Sequence, residues 1–239
     1  MRMLPFLFLF ALLAGQAAAQ KPSPRSELPG LGANDPRRPV EVTRAPWTSI
    51  GRVQTEIGGR CTGTLIAPRL VLTAAHCLVA RTGKLVQPGS VHFLLGYERG
   101  RATAHAQVSD IWISEAFAPG MPSPVSSDWA VLVLQAPLRA PAIPLWPGNP
   151  PARTALVLGG YQQDVPERLL ADMGCRVIGA VGGVVTHDCA GTRGASGAPL
   201  LAEIGGRWQI VGVASRVRRD MALGEAAGTE AIRRVLQRQ

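Results

Sequence analysis

The sequence predicts an all-β fold of sandwich or barrel type. Three observations carry this: short apolar runs recur from Trp47 onward, glycine and proline turns separate them, and almost no stretch between them has helical periodicity. In chain order the runs are SIGRVQTEI, CTGTLIA, LVLTAAHC, SVHFLLG, DWAVLVL, TALVLGG, CRVIGAV, GVVTHDC, APLLAEI and WQIVGVAS. Each has the β-branched and aliphatic content of a strand with at least one buried face. The last segment differs. Thr229 is placed to cap EAIRRVLQRQ, whose Ile232, Val235 and Leu236 share one face, and this predicts a short closing helix.

A chain of 239 residues that is 46% hydrophobic and 17% charged can bury one large or two small cores, which excludes disorder as its description. Residues 1–19 carry Arg2, an apolar run from Leu4 to Ala14, and small residues at Ala17 and Ala19. That order reads as an export signal cleaved after Ala19, and the run is too short for a membrane span, which needs ~20 apolar residues. No later segment qualifies as a span, so a soluble periplasmic or secreted protein is expected. Residues 20–45 are rich in proline and charge without apolar periodicity, and read as an extended arm or propeptide that does not pack. The remaining 46–239 form the folded part.

The net charge is +9, one less once Arg2 leaves with the leader. The arginines are scattered, aromatics are only 5%, and no nucleic-acid motif occurs, so nucleic acid is not an expected partner. The charge reads as a solvated surface with some affinity for an anionic envelope, and a monomer is expected.

Four cysteines in an exported chain imply two disulfides. Three pairings exist, and the local pattern favours one. Cys61 and Cys77 are equidistant from Arg69, which ends the APR turn between two apolar runs; Cys175 and Cys189 are equidistant from Gly182, which opens a Gly-Gly hairpin turn. Each bridge closes a short loop, worth ~3 kcal/mol in the chain-entropy model. No two cysteines have the spacing of a zinc knuckle, and no metal or other cofactor is expected.

Chemistry points first to GTRGASGAPL, where Ser196 lies between glycines. A serine nucleophile needs a base, a group that orients the base, and donors for the oxyanion. Among the four histidines, His92 alternates within a strand pattern and His105 stands in a small-residue segment. His76 ends a strand beside a cysteine of a predicted bridge, a rigid position that suits a general base. Asp128 precedes the apolar strand of DWAVLVL, at the rim of a buried sheet, where it can hold an imidazole tautomer; Asp110 and Asp188 precede no such strand. Gly194 and Gly197 allow backbone angles that would aim the Gly194 and Ser196 amides at one oxyanion.

LTAAHC, DWAVLVL and GASGAPL, in that order, resemble the His, Asp and Ser motifs of the trypsin-like serine proteases, and the cysteine directly after the motif histidine belongs to the same pattern. The compact length and short loops resemble the bacterial branch related to the glutamyl endopeptidases. The resemblance implies two six-stranded antiparallel barrels of chymotrypsin-like type, roughly 46–141 and 142–239, with His76 and Asp128 on the first and Ser196 on the second. It implies an endopeptidase whose polypeptide substrate lies along Ser215–Val217. The alternative of another class is an inactive homologue that uses the same cleft to bind an envelope component.

Two departures from the family pattern shape the expectations. Ala195 replaces the aspartate of GDSGGP, and no IVGG start follows a basic site, so activation by insertion of a freed amino terminus is not expected. Chains starting anywhere between Gln20 and Pro46 should then be equally active. Counting back along the loop puts Ala190 at the floor of the specificity pocket, where no carboxylate would offset a buried lysine or arginine. Arg193 and Arg216 at its mouth would attract acidic side chains, but the strand after the serine carries Ala214 and Ser215 where glutamyl endopeptidases have a histidine, so small apolar residues are expected there equally.

Overall fold

The computed structural model describes residues 28–238. The predicted export signal lies outside the described residues. The first closed barrel consists of β2 (Ile50–Thr55), β3 (Arg60–Ala67), β4 (Leu70–Thr73), β5 (Val91–Leu95), β6 (Ala104–Ile113) and β7 (Ala130–Leu134), joined in the order β2-β3-β4-β7-β6-β5. All its pairings are antiparallel. Alternation shows where a strand faces the barrel axis on one side only: Val91, Phe93 and Leu95 of β5 are buried, His92 and Leu94 between them less so. By contrast β7 is buried on both faces at nearly every residue, which is why its sequence is a continuous apolar run.

β8 (Ala155–Tyr161), β9 (Leu169–Val181), β10 (Val184–His187), β11 (Pro199–Ile204), β12 (Arg207–Val217) and β13 (Gly224–Gly228) make the second barrel. The order runs β9-β10-β13-β12-β11-β8, and β8 pairs back with β9 to close the ring. Two six-stranded antiparallel barrels are therefore present, as expected. Two of the twelve barrel strands escaped the sequence pattern, β6 and β13, because AHAQVSDIWI and GEAAG are too polar or too small to read as apolar runs. Both cysteine pairs lie at disulfide distance, Cys61–Cys77 and Cys175–Cys189. Gly182 and Gly183, both at positive φ, make the tight turn that sets the second pair opposite each other.

Three apolar clusters follow from this arrangement. One fills the first barrel around Leu65, Phe93 and Leu132, and one fills the second around Leu158, Val177 and Leu200. The third lies between them and holds Trp47, Trp129, Tyr161, Val213 and Ile232. The helix α1 (Thr229–Leu236) contributes Ile232 to that layer, as its apolar face predicts. Its N-cap is Gly228, however, and the Thr229 hydroxyl instead donates to the Trp146 carbonyl at 2.7 Å. No helix among the described residues is long and apolar enough to cross a membrane.

The arm is the main correction. Residues 28–45 do not hang free: Leu31 is 2% exposed, Arg37 is 4% exposed, and β1 (Arg38–Pro39) pairs with Leu170 and Ala171 of β9. The Gly30 carbonyl accepts the Gly191 amide at 3.1 Å. Composition gave no hint of this, since a short pairing and one buried leucine leave no periodicity. Leu31→Ala should cost about 2 kcal/mol or more in urea unfolding; a loss below about 0.5 kcal/mol would mean that the arm is not part of the fold.

Candidate active site

His76 and Asp128 are brought together by the first barrel. His76 stands in the short 3-10 turn Ala75–Leu78 after β4, and the bridge from Cys77 to Cys61 ties that turn to β3. Asp128 follows the turn Val125–Ser127, just before β7, and is 4% exposed. Its carboxylate grips the histidine twice: the backbone amide of His76 donates to Oδ1 at 2.9 Å, and ring Nδ1 lies 2.7 Å from Oδ2. Nδ1 therefore carries the hydrogen, which leaves Nε2 as an acceptor on a ring that is 41% exposed. The Ser215 hydroxyl donates to the same Oδ2 from β12. Burial pushes the Asp128 carboxyl up, but the His76 ring, its charge, the Ser215 hydroxyl and the His76 amide outweigh it and hold the group below its ordinary value.

The rival acids serve local structure. Asp110 accepts from the Ile111 amide and the Trp112 indole, and Asp188 takes the Arg176 amide. His92 and His105 sit side by side on the first barrel, Nδ1 to Nε2 3.0 Å apart. His105, which the sequence left without company, thus has a partner, and burial followed by the His92 charge lowers its pKa.

Ser196 belongs to a loop of the second barrel that is moulded onto the first. Its carbonyl accepts the Thr62 amide at 2.9 Å, and the next residue, Gly197, has φ +79°. A Cβ on Gly197 would lie 2.2 Å from Thr73 Oγ1 and 2.9 Å from the Ala74 nitrogen, so only glycine lets the loop approach the segment that leads into His76. Gly194, at φ +93°, is held in the same way against Tyr161, whose carbonyl a Cβ would meet at 2.3 Å. Thr62 was invisible as a site residue in the sequence, yet its hydroxyl accepts the Tyr161 amide and donates to the Gly194 carbonyl, both at 2.9 Å. The amides of Ala195, Gly197 and Ala198 all have backbone acceptors, whereas those of Gly194 and Ser196 have none among the described residues. Two neighbouring donors are therefore left for an external acceptor.

Beside Ser196 opens a cavity of about 270 Å³, lined in part by Arg193, Ser215, Arg216 and Val217, four of the residues expected there, and by Arg219 and Pro29. Ala190 does not line it. That residue is fully buried, and its amide donates to Asp172 at 2.8 Å. His187 lines the cavity instead. The alternation of β10 carries the signal: with Val185 turned inward, His187 is turned inward too. Its Nδ1 accepts the Cys189 amide at 3.2 Å, so Nε2 bears the hydrogen, and Nε2 has no partner among the described residues. Arg216 leans away, donating to the Ser123 carbonyl at 2.6 Å. No carboxylate lines this cavity.

Burial alone pushes the His187 pKa down to about 4. The unfolded chain then binds a proton that the folded chain refuses between about pH 6.5 and about pH 4, so stability falls as pH drops through that window. Wild-type protein should lose about 3 kcal/mol to this group, and His187→Gln should remove that part of the acid sensitivity in urea titrations at both ends of the window. Parallel losses in the two proteins would show that His187 is already charged in the fold.

Known proteins share this fold. Residues 61–213 match the family model of the trypsin-like peptidase domain. The chain is 30% identical over 174 residues to Serine protease 56 of Homo sapiens; that match covers 62% of this chain and 28% of the relative, so the chain spans well under half of that protein's length. The fold is also that of a solved structure of Glu endopeptidase in complex with MPD, with TM-score 0.76 at 20% identity, covering 87% of this chain and 100% of the other. Because the matched segment spans His76, Asp128 and Ser196 within two closed antiparallel barrels, this chain belongs to the family of trypsin-like peptidase domains.

Proposed function

We propose that the protein is an exported serine endopeptidase that works by acyl transfer. In this reading His76 Nε2 takes the Ser196 proton as Oγ attacks the scissile carbonyl carbon. The Gly194 and Ser196 amides hold the oxyanion of the tetrahedral intermediate. His76 then returns the proton to the leaving amine, and water, deprotonated by the same ring, releases the acyl group. Asp128 keeps the tautomer and offsets the imidazolium charge. The observation that carries this is the doubly held histidine, with its acceptor nitrogen exposed, beside a serine loop that has two unpaired amides.

Substrate is proposed to lie as an extended strand along Ser215–Val217. Beyond Ala214, whose amide and carbonyl bond to Ala198 and Gly197, the β12 backbone pairs only with β13 among the described residues, while Gly30 of the arm packs on the Val217 side chain; the edge at Ser215–Val217 is thus without a hydrogen-bonded strand. For the residue before the scissile bond, a cavity with three arginines and no carboxylate disfavours lysine and arginine and favours glutamate. The apolar run after Arg2 and the two disulfides support export, with the arm retained.

Ser196→Ala and His76→Ala should each lower kcat by at least about a thousandfold while the unfolding midpoint stays close to wild type. Peptides that differ only before the scissile bond should be cleaved in the order glutamate, alanine, lysine. Full activity of Ser196→Ala would refute the mechanism, and a preference for lysine would refute the pocket reading.

A further inference from the structure

We infer that Arg37, an internal residue of the N-terminal arm, is a positioning residue that orders the oxyanion loop in the place where Ala195 offers no carboxylate. The inference rests on the serine-peptidase reading above and adds to it how the loop is held. Ala195 is 3% exposed, and its methyl and Cα pack close to Gly191 and Gly160. Nothing at that residue could pair with a buried ammonium. A charged anchor is nevertheless present on the neighbouring segment.

The Arg37 side chain is completely buried between two carboxylates. Its Nε and Nη2 donate to Asp35 Oδ1 and Oδ2, each at 2.9 Å, and Nη1 and Nη2 donate to Asp164 at 3.2 and 2.7 Å. Nη1 also donates to Gln162 Oε1 at 2.5 Å, and that same oxygen accepts the Thr192 amide at 2.8 Å. One amide oxygen thus links the arm to the loop. The Thr192 carbonyl in turn accepts the Ala195 amide, and the Arg193 carbonyl accepts the Gln163 amide at 2.7 Å. These bonds fix the peptide planes on either side of Gly194, and with them the direction of its free amide.

A guanidinium suits this task because its planar fork satisfies two carboxylates and still has a hydrogen for Gln162. The chemistry differs from insertion of a freed amino terminus in one respect: the cation is part of the chain interior and is made without proteolysis. The consequence is a loop that orders on folding, with residues 28–37 as an integral part of it. Chains that start beyond Arg37 would lack the anchor, so under this proposal the starts up to Pro46 are not equivalent.

The test compares wild type, Arg37→Met, Arg37→Lys and Gln162→Leu by steady-state kinetics on a peptide substrate, each rate divided by the folded fraction from circular dichroism. Arg37→Met and Gln162→Leu should lower kcat on the order of a hundredfold with KM changed less than about threefold, the signature of a lost transition-state interaction. Arg37→Lys should recover part of kcat, and Arg37→Met combined with Gln162→Leu should be no worse than either alone. An active wild type with Arg37→Met of equal kcat per folded molecule would overturn the proposal, whatever its thermal stability. Hydrogen exchange on wild-type protein covers the case in which the variants do not fold: the Thr192 amide should be as protected as the core strands, and rapid exchange there would overturn the proposal. A wild type inactive on every peptide, with a protected Thr192 amide, would instead count against the serine-peptidase reading alone.

Discussion

Everything about this site depends on a contact that only a glycine permits. The serine loop belongs to one barrel and the histidine turn to the other, and they meet where Gly197 rests against Thr62 and Thr73. A reaction that moves a proton between two side chains tolerates little error in their separation. The apolar layer between the barrels supplies area but not register, because aliphatic packing is non-directional. Register comes from directional bonds across the seam: the Thr62 amide on the Ser196 carbonyl, the Thr62 hydroxyl on the Gly194 carbonyl, and the Tyr161 amide on the Thr62 hydroxyl.

The electrostatics of the seam follow one pattern on both sides. A buried ion that lost its partner would cost about 3–5 kcal/mol, so each one is surrounded before anything else is asked of it. Asp128 is met by two donors from His76 and one from Ser215, so its charge is fixed in the fold and can orient the ring. Arg37 is met by two carboxylates and the Gln162 oxygen. His187 is the exception. It avoids the problem by staying neutral, its pKa pushed down to about 4 by burial.

What the sequence made legible was local. Hairpin symmetry about Gly182 and the Ala67–Arg69 turn places the cysteines, and the histidine and aspartate motifs name the two residues that meet at 2.7 Å. What it hid was pairing at long range. Arg37 and Gln162 are separated by 125 positions, and an arginine among prolines and charges reads as a solvated linker because buried arginines are rare. Thr62 is an ordinary strand residue until the second barrel arrives to use its hydroxyl. Counting along the loop put Ala190 in the pocket because counting ignores facing; the period-two alternation of β10 would have chosen His187.

In the proposed mechanism this seam makes a single serine nucleophilic. An organofluorophosphonate reacts with an activated serine and spares ordinary ones, so intact-mass analysis followed by peptide mapping reads the claim directly. One adduct per folded chain is expected, located at Ser196, and none when the protein is unfolded before exposure. No adduct on the folded chain, or an adduct on another residue while peptide cleavage continues, would contradict it.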